Sequence, residues 1–154
     1  MKIIANGIHI DIADSAAESP EPTGRPVVLL IMGLGMQLIA WPSAMVQGLV
    51  DAGFRVVRFD NRDIGLSQHF DALGTPNLLW AGLKYRLGWR IKPPYTVQDM
   101  ADDAKGVLDA LRIAKAHVVG VSMGGMIAQR LALSAPERVL SLASVMSSDR
   151  KSVV

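Results

Sequence analysis

One short stretch of this sequence carries residue types that could do covalent chemistry. Gly120-Val121-Ser122-Met123-Gly124-Gly125 has the spacing G-x-S-x-G. Such a serine is reactive only where a strand turns sharply into a helix and lifts the hydroxyl above the sheet. The turn is too tight for flanking side chains, which accounts for Gly120 and Gly124, and Gly125 lets the helix start pack close to a neighbouring strand. The Met123 amide, at a helix N-terminus, can then stabilise an oxyanion. A second amide has to come from the loop after a neighbouring strand. Met32-Gly33-Leu34-Gly35 supplies such a loop, with Leu34 as the donor, Gly33 and Gly35 shaping the turn, and Met36 and Gln37 placed to line an acyl pocket. Each glycine segment could also be a plain turn, and their pairing favours the chemical reading. No Gly-Lys-Ser/Thr follows a glycine loop, so a P-loop is excluded.

A serine nucleophile needs a base, and the chain has three histidines. His9 falls in an N-terminal hairpin. His117 opens the strand leading to Ser122, so five residues at ~3.3 Å each set it at the opposite edge of the sheet. His69 follows a parallel strand and leaves the sheet at the same edge as Ser122, which makes it the one candidate for a surrogate base, in cis or across a dimer. Its alternative is a solvated loop histidine. Asp60, Arg62 and Asp63 read better as a buried turn network bracing the 33–35 loop than as direct participants.

The elements that must position these residues alternate between strand and helix. Residues 2–13 read as a hairpin of two edge strands around Asn6-Gly7. Val27 to Met32, Phe54 to Phe59, His117 to Val121 and Val139 to Val145 are short apolar runs, as strands buried on both faces should be. Helical spacing covers Ile39 to Ala52, ending at Gly53, and runs from the N-cap candidate Thr96 through Leu111. A third helix runs from Met123 to Ser134 before Pro136. Residues 61–95 are irregular, with a possible short helix over 77–87. Strands alternating with helices predict a single α/β domain over 1–154, with a mostly parallel sheet and helices on both faces.

Three segments together give a resemblance: 32–35, Asp60-Asn61-Arg62-Asp63-Ile64-Gly65-Leu66-Ser67, and 120–125. The sequence resembles the α/β-hydrolase superfamily, and its middle segment looks like the bacterial branch of aclacinomycin methylesterase and related carboxylesterases. The resemblance covers nearly the whole chain. It implies strand order 1-2-4-3-5-6, a serine nucleophile acting on small-molecule esters, and a triad whose acid follows strand 7 and whose histidine follows strand 8. By that measure the sequence stops after strand 6, and the expectation is a truncated member with an incomplete or dimer-completed triad. The alternative is a catalytically inactive remnant, a stable dimer or ligand binder.

Composition narrows the field. With 154 residues, half of them apolar, there is enough chain for one core, and disorder is excluded. The absence of cysteine removes disulfide scaffolds, thiolate metal sites and cysteine nucleophiles. No cofactor or metal is expected. The formal net charge is only +2 and aromatics are 5%, which argues against nucleic acid as a partner. No apolar run approaches the ~20 residues of a membrane span or the length of a signal peptide, so a cytoplasmic location is expected. The basic, aromatic stretch at 84–92 reads as a lid-like loop covering the pocket or joining a dimer. The strand at 139–145 would form an uncovered sheet edge, which predicts a homodimer.

Overall fold

The computed structural model describes residues 1–17, 24–70 and 93–148. The sheet has six strands: β1 (Lys2–Ala5), β2 (Ile8–Asp14), β3 (Val27–Ile31), β4 (Arg55–Phe59), β5 (Ala116–Val121) and β6 (Val139–Val145). Among the described residues three α-helices pack on it: α1 (Ser43–Asp51), α2 (Val97–Ala110) and α3 (Met123–Ser134). Strand order is β1-β2-β4-β3-β5-β6, as expected from the resemblance. β1 and β2 are antiparallel, and β2 runs antiparallel to β4. The β4-β3-β5-β6 block is parallel throughout.

Parallel strands with side chains alternating between two covered faces explain the continuous apolar runs. Val27, Leu29 and Ile31 of β3 join the core under α2 and α3, with Val107, Leu108, Ile127 and Leu131. Val28, Leu30 and Met32 point the other way, into a smaller cluster with Trp41 and the half-buried Val46, Leu49 and Val50 of α1. All five residues of β3 are buried, as befits the centre of the sheet.

The structure redraws two expectations. The helix predicted over 39–52 is split into a 3-10 turn at Leu38–Ala40 and α1 from Ser43. Pro42 is the cause: the residue before a proline is pushed out of the helical region, and Trp41 is extended at φ −67°, ψ 126°. β2 is not an edge strand, because β4 takes its far side and leaves only β1 at that edge. β6 forms on residues 139–145, and its apolar run, which by composition suits a strand buried on both faces, is exposed after its half-buried first residue, as expected of an uncovered sheet edge. The possible helix at 77–87 and the basic stretch at 84–92 lie outside the described residues.

Candidate active site

Because β4, β3, β5 and β6 are parallel, the segments that follow them emerge at one edge of the sheet. Ser122 follows β5 directly and is the residue preceding α3. Its backbone stands at φ 55°, ψ −122°, a conformation that costs a non-glycine residue on the order of 1–3 kcal/mol. Tight packing on both sides enforces it. A Cβ on Gly120 would lie 2.2 Å from the Gly124 carbonyl oxygen, and one on Gly124 would lie 2.2 Å from that of Ile31. A Cβ on Gly125 would meet the side chains of Ser144 and Ser147 at 2.6–2.7 Å. The Ser122 amide is held by the Val145 carbonyl at 2.9 Å, and its own carbonyl accepts from Gly125 at 2.9 Å. The result is an exposed serine side chain. The Met123 amide lies in the first turn of α3, where N–H groups have no intrahelical acceptor.

The loop after β3 comes directly beside this serine. A Cβ on Gly33 would sit 3.2 Å from Ser122 Cβ and 3.7 Å from Ser122 Oγ. Gly33 to Met36 form a turn closed by the Met36 amide on the Gly33 carbonyl at 3.3 Å, with Gly35 at φ 72° in the third position, as a type II turn requires. That hydrogen bond leaves the Leu34 amide outside the turn. The side chains of Leu34 and Met36 are exposed, at 76% and 48%.

The loop after β4 holds the β3 loop from the other side. Buried Asp60 accepts from the Leu38 amide at 2.6 Å and from the Leu66 amide at 3.1 Å. Asn61 Nδ2 donates to the Met32 carbonyl at 3.0 Å. The bracing expected of Asp60, Arg62 and Asp63 on the 33–35 loop is thus divided differently. Asp60 and Asn61 grip the two flanks of that loop, whereas Arg62 and Asp63 face away. Arg62 makes a two-pronged pair with Asp103 of α2, at 2.6 and 2.7 Å, with its guanidinium over the neighbouring rings of Phe70 and Tyr95. Burial alone would lower the Arg62 pKa, but the hydrogen bond and charge of Asp103 outweigh it and keep the guanidinium ionised. Asp63 accepts from the Phe70 amide at 2.6 Å. Burial first, then the hydrogen bond to Asp63, pushes the Tyr95 hydroxyl up to about 12.

The three histidines are spread across the fold. His9 lies on β2 opposite Ile4. His117 lies opposite Val28 and Ser141, with Nδ1 2.8 Å from Ser141 Oγ and its ring edge-on to Phe54. His69 is exposed, with Nε2 3.1 Å from the Gly65 carbonyl. A carbonyl only accepts, so Nε2 carries the hydrogen, which in the neutral ring makes Nδ1 the acceptor. Among the described residues no histidine hydrogen-bonds to Ser122, and no group of acidic and histidine side chains could hold a metal ion. Asn61 and Asp103 escaped the sequence reading. Asp103 had a signal, since it interrupts the apolar face made by Met100, Ala101, Ala104 and Val107.

Comparison with known proteins agrees with this arrangement. A family model described as alpha/beta hydrolase fold matches residues 26–153. Rhodomycin D methylesterase of Streptomyces sp. (strain C5) is 39% identical over 122 residues, covering 79% of this chain and 35% of that protein. The rhodomycin D methylesterase of Streptomyces peucetius gives the same identity and coverage. Among solved structures, the enol-lactonase from Burkholderia xenovorans LB400 matches with a TM-score of 0.72 at 26% identity, over 96% of this chain and 46% of that one. The chain therefore spans 35% of the length of these curated relatives. On sequence, strand order and the turn at Ser122 alike, the chain belongs to the family of proteins with the alpha/beta hydrolase fold.

Proposed function

We propose that this chain carries the nucleophile and oxyanion hole of a serine hydrolase acting on carboxylic esters. The observation that carries the reading is the forced backbone of Ser122 directly beside the Gly33 turn. Ser122 Oγ would attack the ester carbonyl, and the Leu34 and Met123 amides would hold the negative oxygen. The alcohol then leaves, and water releases the acid from the serine ester. Relatives named methylesterase and enol-lactonase support ester cleavage, and others named putative carbamate hydrolase are consistent with hydrolysis at an acyl carbon more broadly.

The proton from Ser122 has to reach a base. His69, on the loop after β4 with Nδ1 free to accept, is the candidate, from the same chain or a second copy. His69→Ala should lower ester turnover, and unchanged turnover would remove His69 from the mechanism. The second reading is a non-catalytic remnant, favoured by the lack of any hydrogen bond between Ser122 and a histidine among the described residues. A fluorophosphonate probe and a p-nitrophenyl short-chain ester separate the two readings, with Ser122→Ala as control. An oxyanion hole without a working base still accelerates hydrolysis roughly 10³–10⁴-fold over water, so weak turnover is within reach of the first reading. Equal signals from wild type and Ser122→Ala would favour the second.

We also propose that β6 pairs with a second copy of the chain. Its seven residues carry no charge, and Leu140 and Leu142 are 51% and 41% exposed. Both lie on the face of Ser144, which hydrogen-bonds to Gln129 of α3. An uncharged strand meets its own copy without like-charge repulsion, and such an edge pairs readily. Light scattering should show a dimer in the wild type and a monomer in Leu142→Lys. A monomeric wild type would overturn the pairing.

A further inference from the structure

Asn61 is 2% exposed and sits where β4 ends, beside the end of β3. Its amide has one use in the fold: Nδ2 donates to the Met32 carbonyl at 3.0 Å. Its Oδ1 is buried and has no hydrogen-bond partner. Turning the amide over would set Oδ1 against the Met32 oxygen, so that carbonyl fixes the orientation. A buried acceptor left without a partner is unfavourable, and an apolar side chain of similar volume would avoid the loss. Packing alone therefore does not account for an asparagine here. What does account for it is the bond to Met32.

The Met32 carbonyl belongs to the peptide that opens the Gly33 turn. It also lies against α3, since a Cβ on Gly124 would come within 2.7 Å of the Met32 oxygen. The Met32–Gly33 peptide plane is thus held between the first turn of α3 and the Asn61 amide. Two residues later comes the Leu34 amide. A rotation of the first plane swings the second, and an oxyanion donor misplaced by about 1 Å can cost on the order of 10²-fold in rate.

We propose that Asn61 is a positioning residue of the oxyanion hole, setting the Leu34 amide toward Ser122 through the Met32 carbonyl. The inference rests on the serine-hydrolase reading above. Two variants test it. Asn61→Leu keeps the branched shape and removes the donor. Asn61→Asp keeps the shape but places a carboxylate oxygen against the Met32 carbonyl, and regains a donor only when protonated. Burial raises the pKa of such a carboxyl, so protonation falls in mildly acidic buffer.

In Asn61→Leu, kcat and the fluorophosphonate labelling rate should fall roughly 10–100-fold, with KM within about twofold of wild type. In Asn61→Asp the deficit relative to wild type, measured at each pH, should shrink as the pH is lowered. A merely structural asparagine would give neither the kcat-specific loss nor the acid recovery. A kcat within twofold of wild type in Asn61→Leu, or a pH-independent deficit in Asn61→Asp, would overturn the assignment. Backbone amide resonances of Leu34 and Met36 provide a readout that needs no turnover. They should shift in both variants and return toward wild type in Asn61→Asp at low pH. If the wild type shows no Ser122-dependent reactivity, the hydrolase reading fails by itself, and unmoved resonances would then separately defeat the positioning role.

Discussion

The two loops that meet at Ser122 are held in opposite ways. The turn at 120–125 is fixed by the absence of side chains, because backbone meets backbone where Gly124 touches Ile31 and Met32 and where Gly120 touches Gly124. The 32–38 loop is fixed by side chains reaching across from the end of β4, through Asp60 to the Leu38 amide and Asn61 to the Met32 carbonyl. Steric fixation is all-or-none, since a closely packed backbone has nowhere to move. Fixation by hydrogen bonds is graded, because each bond contributes about 0.5–1.5 kcal/mol net and can be removed singly. A strained serine calls for the first kind. An amide that must only be aimed is served by the second.

Gly124→Ala should break the comparison most severely. Its Cβ would lie 2.2 Å from one backbone oxygen and 2.7 Å from another. We expect a loss at or beyond the upper end of the ~1–3 kcal/mol typical of overpacking, seen as insoluble protein or a collapsed urea midpoint. Gly125→Ala meets the Ser144 and Ser147 hydroxyls, which can turn away, and the Ser147 Cβ at 2.6 Å, which moves only with its own backbone just past the end of β6, so its loss should be smaller than at Gly124. Equal losses at the two positions would mean that the turn is held by something other than backbone contact.

Next in size is Asp103→Ala, which removes the partner of Arg62. Asp103 is 1% exposed and Arg62 8%, and breaking a buried ion pair from one side costs roughly 3–5 kcal/mol. Asp103 Oδ1 also accepts from Asn6 Nδ2 at 2.9 Å, so the same change unties the N-terminal hairpin from α2. Urea denaturation of Asp103→Ala and Arg62→Met should show whether the two losses share one interaction. Neither Arg62 nor Asp103 hydrogen-bonds to the 32–38 loop, so Ser122 labelling per folded molecule should be nearly unchanged. A large drop in labelling would show that this pair also aims the oxyanion loop.

The same contrast decides what the sequence discloses. Steric demands are written locally: Gly120, Gly124 and Gly125 stand in one hexapeptide with the serine they constrain, and the turn is legible from that alone. The mostly parallel α/β architecture follows from apolar runs alternating with helical spacing, whereas the strand order was implied only by the family resemblance. Hydrogen-bond partners are written in distant segments. Nothing about Asn61 announces Met32, 29 residues away, and Arg62 is 41 residues from Asp103. The exposure of β6 was legible for a different reason. Its composition is that of an interior strand, while none of the described residues stands beyond it in the sheet order. The break in the 39–52 helix could have been read from Trp41-Pro42, because apolar spacing alone does not register the restriction that a proline imposes on its predecessor.

The smallest effect is expected at the other end of the α2 contact, where hydrogen bonds act in solvent. Thr96 Oγ1 accepts from the Asp99 amide at 3.3 Å, and the Asp99 carboxylate accepts from the Thr96 amide at 2.6 Å, completing a capping box. Thr96→Ala should cost about 1 kcal/mol, well below the loss at Asp103 four residues further on from Asp99. The Thr96 side chain first, then its backbone amide, holds the Asp99 carboxyl below its ordinary range. A depressed folded-state pKa stabilises the fold above the ordinary carboxylate value and loses that contribution as the pH falls through the folded-state value. The stability gap between wild type and Thr96→Ala should therefore be full near neutral pH and narrow below about pH 4. A gap that stayed constant into acid would mean that the Thr96 hydroxyl caps α2 without help from the Asp99 charge.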